Sequence, residues 1–201
     1  MLRSGDLRGL FFTFALIRDG SPERLQQALQ QANLGATRCE LFAYGYSNLV
    51  LAISAQLGDL KARSLLLEMP LFTYQNHNCF DTLISLMARY WVDRDAATPL
   101  ALRLLRPIYT DAIEAGYDWI ALEAVSLLAE LHEDEMFAQL AATIREVGEL
   151  PEMTLCFQAM QPKSAWELQL LALQALKVDS AAAAPPKSAT NGLGDSSGYV
   201  G

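Results

Sequence analysis

The sequence is poor in the residues that metal binding and nucleophilic catalysis most often use. Its 201 residues include two histidines, His77 and His132, and three cysteines, Cys39, Cys79 and Cys156. The cysteines are odd in number, far apart and without a Cys-x-x-Cys pair, which excludes a disulfide framework and favours a reducing compartment. Neither histidine has a second one at helical spacing. We therefore predict a cytoplasmic protein without a metal site.

Signatures of phosphate and cofactor binding are also missing. The chain has no Gly-x-x-x-x-Gly-Lys-[Ser/Thr] loop, no Gly-x-Gly-x-x-Gly run, no Gly-x-Ser-x-Gly elbow and no His-Glu-x-x-His pair. Its glycines stand singly, where capping of helix ends accounts for them. We predict that the chain is not an enzyme, has no catalytic residues and binds no cofactor.

Long apolar runs are absent. The longest stretch of secretory type, residues 10–17, leads directly into Arg18, Asp19 and Gly20 without a small-residue cleavage site. No run reaches the roughly 18 residues that a membrane span needs. We expect no membrane partner.

Apolar residues at helical spacing dominate what remains. The chain is 52% hydrophobic and 19% charged, as in globular domains, and its apolar residues match a period of 3.6 with almost no alternation. The pattern predicts an all-α fold. Thr98 and Pro99 read as the start of one helix, and Asp134 and Gly148 as the two ends of another. We place the helices at 7–18, 21–33, 38–57, 59–68, 79–93, 98–115, 117–131, 134–147 and 163–177.

Three of these helices begin near residues 59, 97 and 134, a spacing of about 37 to 38 residues that is typical of helix-pair repeats. We therefore favour antiparallel helical hairpins stacked as a short, tetratricopeptide-like α-solenoid, with a simple amphipathic bundle as the alternative. The helical-repeat domain is assigned to residues 1–178. Residues 179–201 are rich in Ala, Pro, Ser and Gly and are predicted to be a disordered tail.

The charge of −8 is concentrated in one segment. Residues 111–152 hold eleven acidic side chains and one basic one, Arg145, whereas the flanking regions are close to neutral. Such a segment repels phosphate backbones and attracts basic partners. We predict a solvated acidic face, a basic protein partner and no direct nucleic-acid binding through this segment.

Several side chains remain as candidates for chemistry or binding. His132 with Glu130 or Glu133 is an alternative catalytic or ligand-binding set, although we interpret residues 133–135 as helix capping and His132 as a loop or helix C-terminal residue. Cys39, Cys79 and Cys156 are interpreted as buried thiols.

A mildly basic neighbourhood formed by Arg89, Arg94, Arg103 and Arg106, with Tyr90 and Trp91 beside it, is an alternative single-strand binding site through charge and stacking. We interpret it as an ion-paired surface instead. A series of aromatic residues is interpreted as core, with a peptide groove as its alternative: Tyr44, Tyr46, Phe72, Tyr74, Phe80, Tyr117 and Trp119.

Residues 111–131 (DAIEAGYDWIALEAVSLLAEL) and 166–176 (WELQLLALQAL) carry a resemblance to a known family. Their A-G-Y-x-W-x-A-x-E and W-x-x-x-L-x-A-L-x-A-L patterns resemble the helical-repeat region before the motor of large bacterial Swi/Snf-type DEAD/DEAH-box helicases. The resemblance covers residues 36–178. It implies a tetratricopeptide-like, non-catalytic part, because the motor's ATP and Mg motifs are absent here, as is any cysteine–histidine zinc cluster.

Taken together, these observations predict a helicase-associated helical-repeat interaction or scaffold module. The partner is expected to bind a concave or acidic surface. A small all-helical ligand-binding or enzymatic bundle is the alternative.

Overall fold

The computed structural model describes residues 4–71, 79–132, 134–150 and 160. Within these ranges the chain is helical and has no strand, which confirms the all-α prediction. The predicted helix at 163–177, the predicted tail and Cys156 lie outside the described residues. The helices are α1 (Ser4–Asp19), α2 (Pro22–Arg38), α3 (Ala43–Gln56), α4 (Leu60–Glu68), α5 (Cys79–Val92), α6 (Arg94–Glu114), α7 (Asp118–His132) and α8 (Glu135–Val147).

Short polar side chains cap the starts of four of these helices. Ser21, Asp59 and Asp134 accept hydrogen bonds from backbone N–H groups in the first turns of α2, α4 and α8, as N-caps do. The prediction of Asp134 as the N-cap of α8 is confirmed, and so is the end of that helix at Gly148.

The predicted start of α6 at Thr98 and Pro99 is wrong. Asp93 is the N-cap, and its carboxylate accepts a hydrogen bond from the Ala96 N–H at 3.0 Å. Thr98 lies inside the helix, where its hydroxyl donates to the Arg94 carbonyl at 2.8 Å. Asp93 therefore caps the helix, and the Thr98–Pro99 pair does not mark its start. As a result α4, α6 and α8 begin at residues 60, 94 and 135, and their spacing is less even than predicted.

Helices α3 and α5 lie side by side and run in the same direction. Near their starts the Gly45 N–H donates to the Asp81 carboxylate at 2.5 Å. Near their ends the Gln56 amide donates to the Trp91 carbonyl at 3.1 Å. The short helix α4 therefore lies on the return connection from the end of α3 to the start of α5.

Helices α5 and α7 are arranged in the same way. The Phe80 and Trp119 rings meet edge to face near the starts, with centroids 5.2 Å apart. Near the ends the Tyr90 hydroxyl donates to the Glu130 carboxylate at 2.7 Å. Helices α3, α5 and α7 consequently form one parallel layer, connected through α4 and α6.

Helix α5 is enclosed on every side. All of its residues are buried, including Asp81, Thr82, Ser85 and Arg89. The Arg89 guanidinium donates to the Met69 carbonyl at 2.6 Å, which ties the end of α4 to α5. Burial lowers the pKa of Arg89. A helix buried all round is typical of the centre of a bundle.

A chain of aromatic rings connects the first helix to the parallel layer. Phe42 meets Phe80 with ring centroids 4.9 Å apart, Phe80 meets Trp119, and Trp119 meets Phe11 of α1 at 5.2 Å, all edge to face. Edge-to-face pairs of this kind stabilise cores. Helix α1 therefore touches α7, which lies far from it in the sequence.

The ring of Tyr46 fills a gap between α1 and α2. Its hydroxyl oxygen lies 3.4 Å from where a Cβ would be at Gly9, and three of its ring carbons lie 2.4–2.5 Å from where a Cβ would be at Gly35. Tyr46 is 2% exposed. Gly35 is thus required by close packing inside α2, which continues through it to Arg38.

We expect Gly35→Ala to lower the free energy of unfolding by about 1–3 kcal/mol, because its Cβ would overlap the Tyr46 ring. Gly9→Ala is the matched control, since both glycines lie inside helices and gain the same helix propensity. There the new contact is ordinary, so the free energy should stay equal or rise. Urea unfolding of the two variants measures the difference, and equal effects would refute the packing explanation.

Candidate protein-binding surface

The acidic side chains of residues 111–152 are not all on the surface. Glu123 is fully buried, whereas Glu114, Asp134, Glu135, Glu146 and Glu149 are exposed. Two others, Glu133 and Glu152, lie outside the described residues. The predicted acidic face is therefore carried by the ends of α6 and α8.

Close packing brings the C terminus of α8 against the start of α7. A Cβ at Gly148 would lie 3.0 Å from the Cβ of Asp118. The turn between α6 and α7 precedes Asp118 directly, so three helix ends meet at this point of the fold.

The turn between α6 and α7 is a Schellman motif. The Tyr117 N–H donates to the Ala112 carbonyl at 2.8 Å and the Gly116 N–H to the Ile113 carbonyl at 3.0 Å. Gly116 has a φ of 71°, which suits glycine at the residue after the helix cap. The turn leaves Ile113 and Tyr117 facing outward, 42% and 48% exposed.

The same end of α8 carries the most exposed apolar side chain among the large ones described. Val147 is 80% exposed. The interpretation of Tyr117 as a core residue is therefore wrong. Helical periodicity gives each residue a face, but the last turn of a helix extends past its neighbour and has nothing to pack against.

We call this surface the acidic end. Three apolar side chains lie here among four carboxylates, and its residues are Ile113, Glu114, Tyr117, Asp118, Glu146, Val147 and Glu149. Exposed apolar groups within a charged surround are typical of interaction sites. Of the residues of the acidic end, the sequence singles out Tyr117 alone, as one of the aromatic series, and the charge of the segment indicates the region.

The end of α8 is also strained. Glu149 has a φ of 50°. It holds the left-handed position of a Schellman motif, in which the Leu150 N–H donates to the Arg145 carbonyl at 2.9 Å. Glycine usually occupies that position, but here the glycine is one residue earlier, because Gly148 must lie against Asp118.

The histidine candidate does not line an internal pocket. His132 is the last residue of α7, as predicted, and is exposed. Its ring stacks on Phe137 with centroids 5.5 Å apart. Glu130 is engaged elsewhere, because its carboxylate accepts a hydrogen bond from Tyr90 and lies 3.8 Å from the Arg94 guanidinium.

The basic neighbourhood is divided between core and surface. Arg103 and Arg106 are exposed, and the Arg106 guanidinium lies 5.5 Å from the Phe137 ring centroid. Arg89, Tyr90 and Trp91 are buried. The two aromatic rings are therefore inaccessible to stacking with bases, and Arg89 does not belong to the surface.

The thiols and most of the described aromatic residues lie in the interior. Cys39 and Cys79 are buried, as predicted, and burial raises the pKa of the Cys79 thiol. Phe80 and Tyr46 belong to the core, also as predicted, whereas Tyr117 is exposed. The structure thus leaves one aromatic residue of the predicted series on the acidic end.

Within the described ranges, no group of three or more His, Cys, Asp or Glu side chains is arranged to hold a metal ion. The described helices are too short or too polar to cross a membrane.

We expect Glu149→Gly to raise the free energy of unfolding by about 0.5–1 kcal/mol, because glycine adopts a positive φ without steric cost. The control is Glu146→Gly, which removes the same charge from the last turn of the same helix. That change should lower the free energy by about 1 kcal/mol, since glycine disfavours helical backbone. If both variants were destabilised in chemical denaturation, the strain at Glu149 would be disproved.

Because of the Tyr90 hydroxyl, we expect the free energy of unfolding to change with pH in the alkaline range. Burial, followed by the hydrogen bond to Glu130, raises the pKa of Tyr90 above the ordinary tyrosine value of 10.0. Above that pH the unfolded chain loses the phenol proton while the folded chain keeps it, so the free energy of unfolding falls as pH rises, by up to about 1.4 kcal/mol per pH unit.

Urea midpoints between about pH 8 and pH 11 test this coupling. Tyr90→Phe should flatten the alkaline decline and, at neutral pH, lower the free energy by about 1 kcal/mol through the lost hydrogen bond. Tyr117→Phe, at an exposed tyrosine, should leave the decline unchanged. An equally steep decline in the Tyr90→Phe protein would rule Tyr90 out as its source.

The chain was compared with known proteins in three ways. A scan against models of protein families, a search of curated proteins and a search of solved structures each returned no match.

Proposed function

We propose that this protein is a non-catalytic interaction or scaffold module that binds a basic protein partner at the acidic end. The observation that carries the proposal is the grouping of Ile113, Tyr117 and Val147, all exposed, among four carboxylates. Apolar contacts would supply affinity, and the carboxylates would select a basic partner and speed its association. Arg145 is the single basic residue of this segment, against eleven acidic ones, so it offsets little of the negative charge.

We propose no catalytic activity for this chain. The alternative of a catalytic or ligand-binding set around His132 has less support, because His132 is exposed and Glu130 is held by Tyr90. Direct nucleic-acid binding is likewise not part of the proposal, since the acidic end repels phosphates. Arg103 and Arg106 remain the only exposed cations of the predicted basic neighbourhood that pair with no described carboxylate.

A solenoid-like arrangement is our proposal for the repeat architecture. The hairpins α3–α4, α5–α6 and α7–α8 follow one another, and α3, α5 and α7 are parallel, which supports stacking of helix pairs. The contact of Phe11 with Trp119 and the enclosure of α5 favour a bundle closed by α1. We therefore propose a short hairpin stack whose inner side is covered by the N-terminal helix.

The resemblance to the helical-repeat region of Swi/Snf-type helicases remains a prediction. In that context the module would be a regulatory or scaffold arm. The Ala-Gly-Tyr part of the shared pattern forms the Schellman turn at Gly116. Tyr117 of this pattern is also a residue of the acidic end, so the resemblance includes part of the proposed surface.

A fluorescein-labelled Lys/Leu peptide with helical apolar spacing tests the proposal by fluorescence anisotropy. We expect saturable binding that weakens with salt, because exposed charges are screened. A triple variant, Glu114→Gln with Glu146→Gln and Glu149→Gln, should bind about tenfold more weakly. Val147→Ser should also weaken binding by removing apolar area.

The matched control carries the same loss of charge elsewhere on the surface, as Glu23→Gln with Glu40→Gln and Glu68→Gln; all three residues are exposed. It should bind as the unaltered protein does. Equal weakening by the two triple variants would mean that net charge, and not the acidic end, attracts the peptide. A Glu/Leu peptide that bound equally well would also contradict the proposal.

A further inference from the structure

A pocket of about 210 Å³ opens between α1, α2 and the start of α3 and shares no lining residue with the acidic end. It is lined by Gly9, Gln31, Leu34, Gly35, Arg38, Cys39 and Tyr46. Two of these residues are glycines, and the Tyr46 side chain lies against both of them.

The apolar floor of the pocket is rigid. Tyr46 and Cys39 are buried, and the Tyr46 ring is held against Gly35, where no side chain could fit. Leu34 adds an apolar side chain at the rim and is 42% exposed. A preformed wall of this kind can hold a compact flat group without losing conformational freedom on binding.

The charge in the lining of the pocket is positive. Arg38 is the only charged residue in the lining, and no described carboxylate lies within ion-pair distance of its guanidinium. Glu40 is two residues further along and exposed, but it neither lines the pocket nor pairs with Arg38. Gln31 adds an amide that can donate a hydrogen bond. A guanidinium beside an amide is suited to a carboxylate.

We propose that this pocket binds a small organic carboxylate with a compact apolar or aromatic body. The carboxylate lies on Arg38 and Gln31, and the body lies on Leu34 and the Tyr46 ring. The volume of about 210 Å³ admits a group of about the size of benzoate. This site is independent of the acidic end and of the proposed partner.

Benzoate is the probe, with benzamide as its uncharged counterpart. Titrations of the full chain are followed by the amide signals of Gly9 and Gly35, which line the pocket, and of Gly116, which does not line it. Benzoate should shift the first two signals in a saturable way and leave the third unchanged. Benzamide should bind at least about tenfold more weakly, because it lacks the charge.

Arg38→Gln should weaken benzoate binding about tenfold without changing the melting temperature, since the side chain is exposed. Arg24→Gln is the matched control on the same helix and should bind benzoate normally. The proposal is overturned if benzoate and benzamide shift the glycine signals equally, if Arg38→Gln binds as tightly as the unaltered chain, or if no saturable shift occurs at millimolar benzoate.

Discussion

The hydrogen bond from the Gly45 N–H to the Asp81 carboxylate holds the centre of this fold together. The N-cap residue of helix α3, Phe42, provides no side-chain cap, so the cap is supplied by α5, 36 residues away along the chain. A buried carboxylate needs such partners, and the positive end of a helix dipole provides one. The bond also fixes the register of α3 against α5. A Cβ at Gly45 would lie 2.7 Å from the accepting Asp81 oxygen, so the glycine is required there.

The other connections follow from that register. With α5 enclosed, its polar groups depend on partners inside the protein, because an unpaired buried group costs free energy. Arg89 binds the end of α4, and Tyr90 binds Glu130 at the end of α7. The aromatic contacts extend the same layer to α1. The surface that remains for partners is therefore found at helix ends, where neighbours stop, and in the gap beside Tyr46.

Both candidate sites arise from glycines in close contact with another helix. Gly148 lies against Asp118, which moves the left-handed backbone position onto Glu149 and leaves Val147 exposed. Gly9 and Gly35 make room for the Tyr46 ring and leave a pocket beside it. In the sequence these glycines look like ordinary helix ends or interruptions. Their role depends on which side chain lies opposite, and local propensity carries no such information.

The sequence by itself determined the helical class, the positions of most helices, the N-cap at Asp134 and the concentration of negative charge in residues 111–152, because period, capping and charge are local properties. It also indicated that Cys39 and Cys79 are buried. Only the tertiary structure decided that Arg89 lies in the core. It also decided that Ile113, Tyr117 and Val147 face outward. These outcomes depend on which helix passes beside which residue, and long-range packing sets that through contacts such as the one between Gly45 and Asp81.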